Sequence, residues 1–237
     1  MSKKKYVHTE SGHNLIAPNE IVPIIVDIVN PKNVVDVGCG LGTFLYCFKQ
    51  QGIKEVLGID GAWVNKSLLY KNIQSEEFIE ADLEKPFNLS KRFDLAICLE
   101  VVEHLKAEVA DAIVQNLVSL SDVILFSAAI PNQGGQNHIN EQWPQYWEEK
   151  FKKHGYIFHD VLRQIFWHNE KIDSFYKQNC FLVTKDDYVL DYDILKKYKS
   201  SKVINLVHPD LFVKMYKRTP GGFIQSLLNK LGKKNRF

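Results

Sequence analysis

The segment VVDVGCGLGTF, residues 34–44, decides the fold because it places three glycines at alternating positions directly after a short apolar run. Gly38, Gly40 and Gly42 admit positive φ angles and let a ligand approach the backbone closely. Similar apolar runs rich in Val, Ile, Leu and Phe recur downstream, and stretches of helical spacing separate them. This alternation predicts parallel strands joined by crossover helices, and therefore an α/β fold.

The predicted elements continue to about residue 185. We expect strands at residues 33–37, 55–59, 78–83, 93–99, 122–127, 156–162 and 179–185, and helices at residues 18–29, 42–52, 104–118 and 141–153. Pro144 falls in the first turn of the last helix, where its missing N–H is not needed. The pattern weakens from Asp186, so we expect one domain over residues 1–185 and a C-terminal extension over residues 186–237.

Composition excludes several classes of protein. The chain has 237 residues, of which 45% are hydrophobic and 24% charged, and this suits one good-sized globular domain. No apolar run approaches the roughly 20 residues that a membrane-spanning helix needs, and we expect no signal peptide behind the basic start MSKKKYVHTE. The four cysteines form no CxxC pair, so we expect reduced thiols in a cytoplasmic protein.

The net charge of +2 conceals a basic C-terminal tail. Residues 213–237 carry seven lysines and arginines and no acid, which leaves the rest of the chain, by subtraction, about five charges net acidic. Residues 222–232 are apolar at helical spacing, so this tail could bind an anionic membrane surface, a lipid-linked substrate or nucleic acid. A solvated extension, or a helix docked on the domain, is the simpler interpretation.

The glycine spacing indicates which ligand binds at the strand ends. Ligands of open α/β sheets bind beyond the carboxyl ends of the strands, so a nucleotide-like molecule is expected. The spacing is GxGxG and not the dinucleotide pattern GxGxxG, and there is no GxxxxGK[ST] loop. Asp36 lies two residues before the first glycine, where a carboxylate suits a cationic ligand better than a pyrophosphate. S-adenosylmethionine, which carries an ammonium and a sulfonium and no phosphate, fits best.

At these residues the chain resembles the class I S-adenosylmethionine-dependent methyltransferases. VVDVGCGLGTF is similar to their glycine-rich first motif, and VLGID (56–60), EADL (80–83) and FDLAICLEVVEHL (93–105) resemble the next three elements. The resemblance implies a Rossmann-like, seven-stranded, mostly parallel sheet with helices on both faces and an antiparallel last strand. It implies that Asp60 accepts the ribose hydroxyls and Asp82 the adenine amino group. The implied cofactor-binding set is Asp36, Gly38, Gly40, Gly42, Asp60, Gly61, Asp82, Leu83 and Leu99.

A second constellation lies in EVVEH, where Glu100, Glu103 and His104 stand at i, i+3 and i+4. If a helix begins there, the three side chains share one face. Such ligands suit Mg²⁺, Mn²⁺, Fe²⁺ or Zn²⁺. The segment is similar to the ExxEH of ubiquinone-pathway O-methyltransferases and of small-RNA 2′-O-methyltransferases. The resemblance to the RNA enzymes implies His138 as a fourth metal ligand, although the loop around it lacks their histidine cluster. Metal-free acid–base residues and purely structural polar groups are the alternatives.

These residues predict an enzyme that transfers a methyl group to a hydroxyl. Methyl transfer from a sulfonium depends mainly on positioning, but the hydroxyl must lose a proton. Either His138 takes it as general base, with His104 as the second catalytic candidate, or a metal lowers the pKa of the hydroxyl as it does for bound water. We expect a hydroxylated small molecule or a glycan precursor as acceptor. An RNA 2′-O-methyltransferase and a non-catalytic cofactor-binding partner subunit are the alternatives. Candidate walls of the cofactor and acceptor sites are Trp63, Trp143, Tyr146, Trp147, Trp167, His168, Tyr176 and Asn179. The aromatics at 143, 146 and 147 also have helical spacing, and packing of their helix on the sheet is the commoner use; Trp63 could equally pack in the core.

Overall fold

The computed structural model describes residues 6–10, 12–87, 89–188, 205–218 and 221–222. Its strands are β1 (Asn33–Val37), β2 (Glu55–Asp60), β3 (Phe78–Glu80), β4 (Leu95–Leu99), β5 (Val123–Ser127), β6 (Tyr156–His159) and β7 (Phe181–Lys185). Its α-helices are α1 (Ile16–Val29), α2 (Thr43–Gln50), α3 (Lys66–Leu69), α4 (Ala110–Leu120), α5 (Pro144–Lys152), α6 (Leu162–Phe166), α7 (Ser174–Asn179) and α8 (Pro209–Lys217). Short 3₁₀ turns occupy Ser75–Glu77, Val102–His104 and Ala107–Val109.

The seven strands form one sheet in the order β3-β2-β1-β4-β5-β7-β6. Strands β1 to β5 pair in parallel, whereas β7 runs antiparallel to both β5 and β6. The order reverses at β1, which lies between β2 and β4, so a crevice opens beyond the carboxyl ends of these strands. The predicted Rossmann-like sheet with an antiparallel last strand is confirmed.

The sheet is buried on both faces, which explains the near-continuous apolar runs of its strands. On one face, Ile21 and Ile25 of α1 and Phe48 of α2 pack in a single apolar cluster. On the other face, the equivalent cluster includes Leu117 of α4 and Trp147 of α5. The prediction of Trp147 as an acceptor contact is therefore wrong, because its indole belongs to the core and lies 5.7 Å from the ring of Phe126.

Several element boundaries differ from the predicted ones; among them, β6 ends at His159 and not at residue 162, which already belongs to α6. Strand β3 ends at Glu80, two residues before Asp82. Helix α4 begins at Ala110 and not at residue 104, because the chain after β4 turns through a positive φ at Glu100 and two 3₁₀ turns. Helix α5 begins at Pro144 and not at residue 141, since the residue before a proline disfavours the helical region and Trp143 is extended (φ −65°, ψ 150°).

The described part of the C-terminal extension packs against α6 and α7. The amine of Lys214 in α8 donates to the hydroxyl of Ser174 at 3.0 Å, and Lys177 pairs with Asp210 at 3.3 Å. Nε2 of His208 lies 2.9 Å from the carbonyl oxygen of Trp167. Helix α8 is therefore docked on the domain, and the predicted amphipathic helix at 222–232 lies outside the described residues from position 223 onward.

Two further findings concern the cysteines and the membrane. All four cysteines are buried and unpaired, as predicted for reduced thiols. Within the described ranges, no helix combines the length and the apolar character required to cross a bilayer.

Candidate functional site

The glycine loop after β1 needs its glycines for two different reasons. Gly38, Gly40 and Gly42 all adopt positive φ angles, of 84°, 52° and 71°. A Cβ atom on Gly38 would lie 2.4 Å from a methyl group of Val101, so protein packing alone excludes any side chain there. Gly38 and Gly40 line a cavity at the strand ends, whereas Gly42 lies outside the cavity lining and caps α2. The loop therefore combines close packing with ligand access.

Asp60, at the end of β2, fastens this loop to the neighbouring strand. Its carboxylate accepts the N–H of Gly40 at 2.8 Å and the N–H of Gly61 at 2.6 Å. Burial raises the pKa of Asp60 to about 6, although the two N–H donors act in the opposite direction. The carboxylate lines the cavity, and its contact with the ribose hydroxyls of the cofactor, which the family resemblance implies, stays a prediction.

Other members of the predicted cofactor set line the same cavity. Asp36 lies in β1, and burial, with a smaller contribution from Asp60, raises its pKa well above the usual range. Leu83, Leu99 and Trp63 line the cavity as well. A Cβ atom on Gly61 would lie 2.2 Å from the Trp63 ring, so the glycine makes room for the indole.

Asp82 does not line this cavity. Its side chain is 47% exposed, pairs with Lys85 at 3.2 Å and accepts the N–H of Glu84 at 3.1 Å. This is the geometry of a turn-forming aspartate. The neighbouring side chain of Leu83 faces the cavity instead, and the adenine contact of Asp82 stays a prediction.

The EVVEH residues do not share one helix face, and this expectation is wrong. Glu100 adopts a positive φ of 54°, and its carboxylate accepts N–H bonds from Gln133 at 2.7 Å and from Asn179 at 3.0 Å. Glu103 and His104 lie in the following 3₁₀ turn. Ligand atoms of Glu103, His104 and His138 all lie within 4.8 Å of one another. The structure thus brings together three of the four predicted metal ligands, while Glu100 is held by amides.

Glu103 carries the most unusual electrostatics of the site. It is fully buried, and neither carboxylate oxygen makes a hydrogen bond within the described structure. Burial, followed by the charge of Glu100, raises its pKa well above the usual range. The N–H groups of Glu103 and Ala129 lie close enough to counter this in part, but their geometry is not that of a hydrogen bond. A buried carboxylate without a hydrogen-bond partner is stabilised only by a cation or by protonation.

The two histidines beside Glu103 are held in different ways. Burial, together with the proximity of His138, lowers the pKa of His104 to about 4, so its ring is neutral at pH 7. Nδ1 of His138 lies 2.9 Å from Glu141, whose carboxylate also accepts the N–H groups of Asn132 and Gly134. Glu141 therefore holds the loop that contains Asn132 and Gly134 and orients the imidazole of His138. The rings of His104 and His138 meet edge to face, with centroids 4.9 Å apart.

An N-terminal segment, residues 6–10 and 12–14, also lines the cavity, and no pattern in the sequence predicted this. The Tyr6 ring lies 4.9 Å from that of His104 and 4.8 Å from that of His8, and the rings of His8 and His13 are 4.9 Å apart. Tyr6, His8 and His13 all line the cavity. The segment has no apolar periodicity, and only its two histidines could have drawn attention.

The later aromatic candidates divide between the site and the domain surface. Tyr176 lines the cavity and packs on Phe44 at 5.7 Å, as a wall of the site would. Trp167 instead packs on His208 at 4.3 Å. Asn179 reaches the site indirectly, through its bond to Glu100.

A glycine loop and an acidic strand end surround a cavity where the strand order of this sheet reverses. This arrangement defines a class I methyltransferase fold. The family model described as "Methyltransferase domain" matches residues 18–170, and the chain belongs to that family as an S-adenosylmethionine-dependent methyltransferase domain.

Similar proteins fall in the same class. The ubiquinone biosynthesis O-methyltransferase of Dictyostelium discoideum mitochondria is 33% identical over 86 residues, and this match spans 30% of the present chain and 27% of the relative. S-adenosylmethionine-bound CalS10, an amino pentose methyltransferase from Micromonospora echinaspora, superposes with a TM-score of 0.56 at 13% identity, over 78% of this chain and 100% of that one. The methyltransferase domain of bacterial CtHen1 gives 0.52 at 19% identity, over 73% and 100%. These structural likenesses show the fold alone.

Proposed function

We propose that this protein is an O-methyltransferase that uses S-adenosylmethionine to methylate a hydroxylated small molecule or glycan precursor, assisted by a divalent cation. The observation that carries the proposal is the buried, unpartnered carboxylate of Glu103 beside two imidazoles. His104 belongs both to this cluster and to the lining of the cofactor cavity. The cation site and the donor site therefore adjoin, as in-line transfer to a cation-bound hydroxyl requires.

The residues present fit a divalent cation. One carboxylate and two imidazoles favour Mn²⁺, Fe²⁺ or Zn²⁺ over Mg²⁺, which prefers oxygen ligands. A bound cation would lower the pKa of an acceptor hydroxyl in the way that it lowers the pKa of bound water. Glu141 holds His138 by Nδ1, so that Nε2 remains to bind the cation or to take the proton.

The chain's own residues also set the position of Glu100. Its two amide donors, Gln133 and Asn179, are themselves joined by a bond of 2.9 Å. Because Glu100 also lines the cavity, this amide pair fixes a carboxylate at the cavity wall. Its positive φ is a strained conformation of the kind that persists at functional sites.

The lining of the cavity favours a small acceptor over a nucleic acid. Among the described residues that line it, none is a lysine or an arginine, and these are the residues that bind nucleic-acid phosphates. Tyr6, Phe175 and Tyr176 offer flat apolar walls on the same cavity. We therefore expect an uncharged or cationic hydroxylated acceptor, and we expect RNA to be a poor one. A cytoplasmic location stays a prediction.

The test is methyl transfer in the presence and absence of a cation. Purified protein is incubated with labelled S-adenosylmethionine and a panel of catechols, glycosides and a short RNA, with Mn²⁺ or with a chelator. We expect transfer to a small hydroxylated acceptor that the chelator abolishes and Mn²⁺ restores. Glu103→Gln should lower the rate of this transfer by more than 100-fold, whereas Glu108→Gln, outside the cavity lining, should not change it. Transfer to RNA alone would contradict the proposed class of acceptor. Undiminished transfer in the presence of the chelator would contradict the role of the cation.

A further inference from the structure

The cofactor of this domain carries a carboxylate at its methionyl end, and the described cavity lining offers no cationic lysine or arginine to bind it. The carboxylates of Asp36 and Asp60 suit the ammonium and hydroxyl groups of the cofactor. As noted above, the described lining residues include no lysine or arginine. The carboxylate must therefore find its donors among backbone N–H groups or uncharged side chains.

The glycine loop cannot supply most of these backbone donors. The N–H groups of Gly38 and Cys39 donate to the carbonyl oxygen of Ile59 at 2.7 and 3.3 Å. The N–H of Gly40 donates to Asp60, and that of Gly42 donates to the carbonyl oxygen of Cys39 at 2.8 Å. An anion at the loop must therefore find partners other than these four N–H groups.

The imidazoles of the N-terminal segment lie directly over this loop. A Cβ atom on Gly40 would lie 3.0 Å from Cδ2 of His13 and 3.2 Å from Cδ2 of His8. Within the described residues, Nδ1 of His8 is buried and makes no hydrogen bond. Nδ1 of His13, in contrast, lies 3.3 Å from the carbonyl oxygen of Thr9, a contact that holds the turn of the segment. Helix α2 begins at Thr43, and its positive end favours an anion at the same place.

We propose that His8 donates a hydrogen bond to the carboxylate of the methionyl group of the cofactor, and that His13 positions His8. This inference rests on the proposed use of S-adenosylmethionine and adds the residues that hold its amino-acid end. The N-terminal segment thereby forms a wall of the cofactor site. The ion pair between Glu10 and Lys71, at 2.7 Å, joins this wall to the chain segment after α3.

The test compares two ligands that differ at the methionyl end. S-adenosylhomocysteine carries the amino-acid group, and 5′-methylthioadenosine lacks it. Calorimetry on the full chain should show that His8→Ala weakens the binding of S-adenosylhomocysteine roughly 10- to 100-fold. The affinity for 5′-methylthioadenosine should change less than about twofold. His8→Gln, which keeps an N–H donor, should recover part of the loss. His13→Ala should show the same selectivity with a smaller effect, and His154→Ala, outside the cavity lining, should change neither ligand.

The outcomes separate this inference from the proposed function. Equal losses for the two ligands in His8→Ala would mean a purely structural role, and no loss for either would mean that the carboxylate binds elsewhere. Both results overturn the inference and leave the cofactor assignment intact. Failure of the wild-type protein to bind either ligand would overturn the cofactor assignment, and the inference with it.

Discussion

Glu103→Gln should stabilise the protein without a cation and lose most or all of this advantage over the wild type with one. A raised pKa of a buried carboxyl group costs at most about 3.7 kcal/mol at pH 7. This limit is reached if a group with an ordinary pKa of about 4.3 stays fully protonated there, at roughly 1.4 kcal/mol per pH unit. The neutral amide carries no such cost, so we expect a gain of roughly 1–3 kcal/mol. In a chain of this size that corresponds to roughly 2–12 °C in the melting temperature.

The sign of the effect depends on pH and on the cation. Because burial raises the pKa of Glu103 on folding, the wild type is penalised only above the unfolded pKa. The variant's advantage should therefore vanish near pH 4 and grow as the pH rises. A cation at 100 times its dissociation constant adds about 2.7 kcal/mol to the wild type alone. This gain offsets most or all of the variant's advantage and, for advantages below about 2.7 kcal/mol, reverses the order of stability.

Urea unfolding of both proteins, with chelator and with Mn²⁺, measures all four free energies of unfolding. Glu108→Gln is the control for the loss of a glutamate charge. A variant less stable than wild type in chelator would refute the reasoning, since Glu103 would then have a favourable partner. Equal stabilisation of both proteins by Mn²⁺ would place the cation elsewhere.

The remaining predictions concern the donor, the base and the packing of the glycine loop. Asp60→Ala should weaken the binding of S-adenosylhomocysteine by at least tenfold in calorimetry, because the carboxylate both lines the cavity and accepts the N–H of Gly40. His138→Ala should leave that affinity within about twofold and lower turnover by at least 100-fold, and equal losses of affinity in the two variants would contradict these roles. Gly38→Ala should cost about 2 kcal/mol or more in urea unfolding, since its Cβ would meet Val101 at 2.4 Å and φ is positive; an unchanged midpoint would contradict the packing.

The sequence predicted the sheet well because its signals are local. The runs around Val35, Ile59 and Ile97 are apolar because their strands are buried on both faces, and the glycines mark the turn that follows β1. Proline chemistry should also have placed the start of α5 correctly, because the residue before Pro144 is driven to an extended conformation.

The parts of the site that the sequence did not predict depend on contacts between distant segments. The spacing of Glu100 and Glu103 fits a helix, but a positive φ at Glu100 turns its carboxylate toward Gln133 and Asn179, which lie 33 and 79 residues away. The position of His8 over the glycine loop likewise depends on tertiary packing. No periodicity or motif around Glu100 or His8 predicts either arrangement.

The proposed cation, bound by Glu103, His104 and His138, adjoins the cofactor cavity. The most direct measurement is an anomalous difference map from crystals grown with Mn²⁺ and S-adenosylhomocysteine. We predict a peak at about 2.2 Å from an oxygen of Glu103 and from a nitrogen of each imidazole, with the ribose at Asp60. A map with the nucleoside bound and no peak among these three side chains would contradict the claim.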